Sequence, residues 1–142
     1  MKLGIVGHAE DKFTPETKRH AEDAIYDAIA WHEPEVIVSG RCPMGGVDIY
    51  AEEIAKRLEI PTIIHAPKIH QWDGPGGFKE RNEAIARDAD LVLCIVVKEF
   101  PAGYKGRRFP YCYHCKGRNP GHIKSGGCWT AWRADAREWV II

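Results

Sequence analysis

Seven consecutive apolar residues, Leu91–Val97 (LVLCIVV), lie between the charged residues Asp90 and Lys98. A run of this length is typical of a β-strand that is buried on both faces. Such strands belong to parallel sheets that carry helices on both sides. The run therefore predicts an α/β protein, and the rest of the chain must supply the helices that cover the sheet.

The rest of the chain alternates short apolar strands with helical patterns. Thr14-Pro15-Glu16 predicts a helix start, because a hydroxyl cap, a proline at the first position and an acidic residue suit a helix N-terminus. Apolar residues at helical spacing follow. The predicted elements are, in chain order, a strand at 2–6, a helix from Pro15, a strand at 35–39, a helix from Val47, a strand at 61–66, a helix at 78–88, a strand at 91–97, a helix at 129–137 and a strand at 138–142.

This alternation predicts one domain over residues 1–142. The expected architecture is Rossmann-like, a three-layer α/β/α sandwich around a mostly parallel five-stranded sheet with right-handed crossovers. Residues 98–126 are rich in Gly, Pro, Arg and Cys and break the alternation, so we expect a small Cys/His insertion there. Ligands of such sheets bind at the carboxyl ends of the strands. The functional residues are therefore expected in the loops that follow the strands.

Charge and hydropathy count against several classes of partner. Lys plus Arg and Asp plus Glu both number 20, which gives a formal net charge of zero. This balance counts against a non-specific grip on nucleic acid or on an anionic membrane. No segment has the roughly 20 apolar residues of a membrane span, and the first residues do not form a signal-peptide core. We expect a cytoplasmic protein whose five cysteines are thiols or metal ligands rather than disulfides.

The stretch SGRCPMGGVD at 39–48 follows a predicted strand and precedes a predicted helix. Glycines in this position allow backbone N–H groups to approach an anion at the positive end of the helix dipole. The pattern is neither a dinucleotide fingerprint nor a P-loop, since it has no Walker lysine. The same glycines could equally form a tight turn, so the stretch alone leaves both interpretations open.

Three stretches together resemble the SLOG superfamily, which includes the DNA-processing protein DprA (Smf), the LOG cytokinin-activating enzymes and the YspA/YpsA-like proteins. They are GIVGHAEDKF, VIVSGRCPMGGVDIYAEEIA and GPGGFKERNEAIARDADLVLCIV, and they cover about residues 1–98 in the family's order. The resemblance implies a Rossmann-like domain that binds a nucleotide or nucleotide derivative in a cleft. The residues expected in that cleft are Gly7, His8, Ser39, Gly40, Gly45, Gly46, Asp48, Arg81 and Asn82.

Each of these residues has an expected role and an alternative. The backbone amides of the glycines at 40, 45 and 46 would contact a phosphate, and Arg81 would grip it bidentately, unless Arg81 and Asn82 simply form an exposed helix start. Asp48 would accept hydrogen bonds from ribose hydroxyls, or it could simply serve the helix N-terminus. Asn82 would read a base edge or tie loops together, and His8 could stack, hydrogen-bond or be structural. Trp72, in a glycine-rich loop, could offer a stacking surface or lie there by accident.

One departure from the family pattern bears on catalysis. LOG enzymes carry a Gly-Thr and a following glutamate that acts in releasing a base from ribose monophosphate. Here the corresponding run, MGGVDIYAE, lacks Gly-Thr, although Glu52 lies at a similar distance. The favoured function is therefore binding of a nucleotide for sensing, carriage or sequestration. A nucleotide hydrolase that uses Asp48 or Glu52 is the first alternative, and single-stranded nucleic-acid binding is the second. Association into a homo-oligomer through the alanine-rich helices is also open.

The insertion carries a metal-ligand pattern. The spacing C-x₂-C-x₆-H-x₅-C over Cys112, Cys115, His122 and Cys128 predicts a Cys₃His site for a structural zinc ion. His114 is an alternative fourth ligand, and reduced cysteines in an ordinary loop are the alternative to any metal. The surrounding segment has too few apolar residues to fold unaided, which favours a metal. The basic residues of the same insertion, available for phosphates or merely solvated, are Arg107, Arg108 and Arg118.

Overall fold

The computed structural model of the protein describes residues 1–116 and 122–142. Within these residues no helix combines the length and the apolar character needed to cross a bilayer. The elements are β1 (Lys2–Gly7), α1 (Pro15–His32), β2 (Val36–Ser39), α2 (Val47–Arg57), β3 (Thr62–Ile64), α3 (Phe78–Asp88), β4 (Leu91–Val96), α4 (Gly126–Arg133) and β5 (Arg137–Ile141).

The five strands form one sheet in the order β3-β2-β1-β4-β5. Every neighbouring pair is parallel, so the sheet is parallel throughout rather than mostly parallel. The chain starts at the centre of the sheet, winds outward to β3, and then returns to add β4 on the other side of β1. The strand order therefore reverses between β1 and β4, where α/β proteins of this kind form their ligand crevice.

Helices cover the two faces of the sheet, which confirms the predicted three-layer fold. On one face α1 and α2 pack against Leu91, Leu93 and Ile95 of β4. On the other face α3 and α4 pack against the alternate residues of the same strand, including Cys94. All residues of β4 are buried. The apolar run is therefore covered on both sides, as its composition predicts.

The start of α1 agrees with the prediction, whereas the bounds predicted for α4 are wrong. Thr14 Oγ1 accepts a hydrogen bond from the Thr17 backbone N–H at 3.1 Å and caps α1. Helix α4 begins earlier than predicted, because the Ser125 hydroxyl accepts from Gly127 N–H at 3.0 Å and caps it there. The helix also ends earlier. Arg137, predicted to be its last residue, begins β5 and donates to carbonyls at the end of α4.

Gly127 brings α4 close to the central strand, and its substitution should be costly. A Cβ at this position would lie 2.9 Å from the backbone nitrogen of Gly7 and 3.1 Å from the Sγ of Cys94. We expect Gly127→Ala to lower the free energy of unfolding by about 1–3 kcal/mol, as overpacking of a core usually does. The matched control is Gly126→Ala, since no described atom lies within 4 Å of a Cβ there. Equal urea midpoints for the two variants would contradict this packing.

Candidate functional site

A cavity of about 670 Å³ lies at the carboxyl end of the sheet, beside the reversal between β1 and β4. Its volume falls within the roughly 300–1,000 Å³ of small-molecule sites. The walls come from the loops after β1, β2 and β4 and from the first turns of α3 and α4. The predicted site residues that line it are Gly7, His8, Asp48, Arg81 and Asn82.

Asp48 and Arg81 form a buried pair on the wall next to β2. Each side chain is 9% exposed, and Arg81 Nη1 lies 3.5 Å from Asp48 Oδ2. The same oxygen accepts a hydrogen bond from the Cys42 backbone N–H at 3.1 Å. Burial raises the pKa of Asp48 to about 6, although the Arg81 charge and the Cys42 N–H act in the opposite direction. The carboxyl group can therefore exchange a proton close to neutral pH.

One buried polar atom of the cavity wall lacks a hydrogen-bond partner among the described residues. Arg81 Nε is fully buried and has no hydrogen-bond partner among the described residues. Asn82 is 6% exposed and faces the cavity, and no described residue hydrogen-bonds to its side-chain amide. Leaving a buried polar group unpaired costs about 1–3 kcal/mol. Nε itself presents almost no surface to the cavity, so a ligand that accepts its hydrogen bond after a shift of the Arg81 side chain would recover part of that free energy.

The glycine pair after β2 forms a tight turn against the loop that follows β1. Gly45 and Gly46 have φ values of 73° and 90°, and the Gly45 N–H donates to the Cys42 carbonyl at 3.0 Å. A Cβ on Gly46 would lie 2.6 Å from the Cα of Ala9. Neither glycine lines the cavity. In this geometry the glycines serve the turn, and their backbone faces the loop rather than the cavity.

Ser39 and Gly40 support the wall from behind and do not line the cavity. The Ser39 hydroxyl donates to Glu52 Oε2 at 2.8 Å, and Arg41 Nε donates to Glu52 Oε1 at 2.9 Å. The Gly40 carbonyl accepts a hydrogen bond from Arg81 Nη1. Both carboxylate oxygens of Glu52 are therefore engaged outside the cavity.

His8 ties three segments together at the centre of the sheet. Its Nδ1 accepts from the Val97 N–H at 3.0 Å, so the ring proton is on Nε2, which donates to the Lys124 carbonyl at 2.9 Å. Burial lowers the pKa of His8 to about 4, and the charges of Lys12 and His122 act in the same direction. The neutral ring is thus a fixed part of the wall. Of the roles that the sequence left open for His8, the structure shows the hydrogen-bonding one.

The lowered pKa of His8 makes a pH-dependent contribution to stability. Below its ordinary value of 6.5 the unfolded chain binds a proton at His8 that the native ring, with a pKa of about 4, does not bind. The stability from His8 is therefore present above pH 6.5 and declines toward pH 4, by up to about 3 kcal/mol. We expect His8→Gln to be less stable at pH 7, and the gap from the wild type to narrow as pH falls. Urea denaturation at pH 7, 5.5 and 4 measures this, and parallel curves would contradict it.

Three of the predicted metal ligands lie together behind the cavity wall. The ligand atoms of Cys112, His122 and Cys128 are all within 4.8 Å of one another, and the three residues are buried. His122 Nε2 lies 3.1 Å from Cys128 Sγ. This Cys/His cluster, defined by these three residues, could hold a metal ion. His114 lies outside it and lines the cavity instead.

The fourth predicted ligand lies beside the cluster, and a further thiol lies next to it. Cys115 is buried in the same core, and its Sγ contacts the Cys112 carbonyl oxygen at 3.2 Å. The Sγ of Cys94, from β4, lies 4.0 Å from that of Cys128. The hydrogen bond with Cys128 and burial raise the pKa of Cys112 to about 12. Burial and neighbouring thiols favour the neutral form of a thiol. A bound cation would lower the thiol pKa and favour the thiolate.

The lining is aromatic and basic; sequence reasoning offered Trp72, Arg81 and Arg107 for it, but not the other aromatic residues or the two lysines. Lys124 Nζ lies 4.4 Å from the ring centroid of Phe109, and Lys12 Nζ lies 5.2 Å from that of Tyr104. The basic side chains of the lining are Lys12, Arg81, Arg107 and Lys124, whereas its acidic side chain is Asp48. The aromatic lining residues are Trp72, Phe78, Phe100, Tyr104, Phe109, Tyr113 and Trp129. Of the predicted basic residues, Arg108 stacks on this wall from outside the lining, and Arg118 lies outside the described residues.

No protein-family model, curated protein or solved structure matches this chain. The resemblance to the SLOG superfamily therefore stays a prediction from the quoted motifs.

Proposed function

We propose that the cavity binds a nucleotide or nucleotide derivative, and that the protein senses, carries or sequesters it. The observation that carries this proposal is the buried Arg81 guanidinium, whose Nε lacks a protein partner, next to the unpartnered amide of Asn82. A buried guanidinium with a free donor is suited to a phosphate, which accepts two parallel hydrogen bonds. The amide of Asn82 offers both a donor and an acceptor to the same ligand.

The rest of the lining matches the other parts of a nucleotide. Aromatic rings provide faces for a base, and such stacking is worth about 1–3 kcal/mol per base. Four basic side chains face one carboxyl group, so the cavity attracts anions although the whole chain has no net charge. Asp48, when ionised, can accept hydrogen bonds from ribose hydroxyls. Membership of the SLOG superfamily is part of this proposal and rests on the sequence motifs at residues 1–98.

The first experiment is a thermal-shift panel on the full chain, followed by chromatography of the mixtures. We expect phosphate-bearing nucleotides such as AMP, ADP and NAD⁺ to raise the melting temperature, because a ligand that binds only the native state stabilises it. Adenosine, which lacks phosphate, is the control and should stabilise much less. No shift with any nucleotide, or an equal shift with adenosine, would overturn the proposed role of Arg81.

The buried Asp48 supports a second candidate, a hydrolase that cleaves the N-glycosidic bond of the bound nucleotide. A carboxyl group with a pKa of about 6 can donate a proton to a leaving base at neutral pH. Glu52 is poorly placed for this, since both its oxygens are engaged elsewhere. Release of free base on chromatography, lost in Asp48→Asn, would establish this function, and an intact nucleotide would exclude it for the panel.

We also propose that the Cys/His cluster and Cys115 form a structural zinc site. Thiolates and imidazole are the preferred ligands of zinc, and four protein ligands would leave no open position for water. Metal analysis of protein purified without chelator should find about one zinc per chain. A stable protein that contains no metal would contradict this proposal.

A further inference from the structure

We propose that the metal cluster positions one wall of the cavity for ligand, so that metal occupancy and nucleotide affinity are linked. The inference rests on the proposed nucleotide and zinc sites. It goes beyond them because it assigns the metal a role in ligand binding rather than in stability alone.

The candidate ligands enclose the wall residues in the chain. Cys112 and Cys115 flank Tyr113 and His114, both of which line the cavity. His122 and Cys128 flank a second lining stretch, Lys124–Gly127. A metal held by these ligands would therefore fix both ends of each stretch. The metal would thereby fix the distance between the two stretches. It would also fix the width of this side of the cavity.

The two thiols anchor the first stretch in the hydrophobic core, whereas the aromatic rings before and within it contact the cations of Lys124 and Lys12. Among residues 98–116, Cys112 and Cys115 are the buried members of the core that α3 and α4 form against β4. The hydrogen bonds of residues 101–108 are local. The Tyr104 N–H donates to the Pro101 carbonyl at 3.0 Å, and Arg108 Nη2 donates to the Tyr104 carbonyl at 3.4 Å. Two small side chains bury little apolar surface, so without metal this part of the wall is weakly held.

The second stretch is tied to the sheet independently of the metal. The Lys124 carbonyl accepts from His8, and the Ile123 N–H donates to the Val97 carbonyl at 3.3 Å. Gly127 packs directly against the backbone of Gly7. Metal removal should therefore loosen residues 100–116 and leave the start of α4 in place. The side chains of Arg107, Phe109 and Tyr113 would then no longer be held in position to bind a ligand.

Linkage makes the effect reciprocal. If metal raises nucleotide affinity, nucleotide must raise the affinity for metal by the same factor. We expect a factor of about tenfold, within the roughly 5–150-fold usual for coupled sites. The probe for the nucleotide site is ADP, and the probe for the metal site is zinc itself.

Hydrogen–deuterium exchange tests the wall without reference to ligand. The zinc-loaded full chain is compared with the same protein after chelation. Faster exchange confined to residues 100–116, with β1, β4 and α4 unchanged, is the expected result. Unchanged exchange throughout, or an increase of equal size across the sheet, would overturn the proposal.

ADP affinity, measured by calorimetry with and without zinc, tests the coupling. We expect about tenfold weaker binding after chelation and in His122→Ala, and no change in His20→Ala, an exposed histidine on α1. Equal affinity with and without zinc would overturn the coupling and leave the proposed nucleotide function intact. If the zinc-loaded protein binds no nucleotide of the panel, the proposed function fails and the coupling fails with it, while the exchange data still decide whether metal holds the wall.

Discussion

Replacing Arg81 with methionine should lower nucleotide affinity by about 30- to 4,000-fold. Removing one partner of a buried charge-assisted contact costs about 2–5 kcal/mol, and every 1.4 kcal/mol is a factor of ten in affinity. Methionine keeps an unbranched stem of similar length against Phe78 but removes both the charge and the donors. The Arg81 guanidinium carbon lies 5.4 Å from the Phe78 ring centroid, so this cation–π contact is lost together with the charge.

The matched control for this substitution is Arg87→Met on the same helix. Arg87 is exposed and does not line the cavity, so its variant should bind like the wild type. Calorimetry with the most stabilising nucleotide of the panel gives both affinities, and circular dichroism checks that both variants are folded. If the two variants bind equally well, the phosphate does not lie at Arg81.

Replacing Cys128 with serine should lower zinc affinity by more than about 100-fold. Even changing a residue that only hydrogen-bonds to a metal ligand costs about 10–100-fold, and Cys128 would contact the metal directly. Its Sγ lies 3.1 Å from His122 Nε2 and accepts a hydrogen bond from Trp139 Nε1 at 3.3 Å, so it is the contact point of α4, β5 and the insertion. Structural zinc contributes to folding, so the zinc-dependent part of the stability should be lost as well.

Cys42→Ser is the control for this second substitution, since Cys42 lies outside the Cys/His cluster. Competition with a chromogenic chelator measures the zinc affinity, and urea denaturation with and without zinc measures the stability. Wild-type zinc affinity in Cys128→Ser would remove Cys128 from the metal site. A loss of zinc in Cys42→Ser as well would show that zinc affinity depends on the stability of the whole fold and not on Cys128 as a ligand.

The strands and the start of α1 were predicted correctly because their sequence patterns act within one short segment of the chain. A continuous apolar run has to be buried, and Thr14-Pro15 satisfies a helix N-terminus from within its own segment. The start of α4 was missed because Gly126 and Gly127 have low intrinsic helix propensity. Gly127 is in the helix because the close approach to Gly7 leaves no room for a side chain, and that contact is not visible in the sequence.

The candidate site was partly predictable for a similar reason. Asp48, Arg81 and Asn82 stand at helix starts that follow strands, and the topology of a parallel sheet brings such positions together. The aromatic wall has no periodicity, so nothing in residues 98–111 indicated that Phe109 would meet Lys124. The roles of the glycines at 45 and 46 depend on which way the turn faces, and only the contact with Ala9 shows this.

Nuclear magnetic resonance of the zinc-loaded protein during titration with the most stabilising nucleotide tests the central claim most directly. The Arg81 Nε–H and the Asn82 side-chain amide give their own signals, and both groups are without protein partners among the described residues. We predict that these signals shift saturably together, with the largest backbone shifts at Gly7 and Gly127. Saturable shifts that leave both side chains unchanged, or that centre on the exposed surface around His65 and Arg87, would contradict a nucleotide site in this cavity.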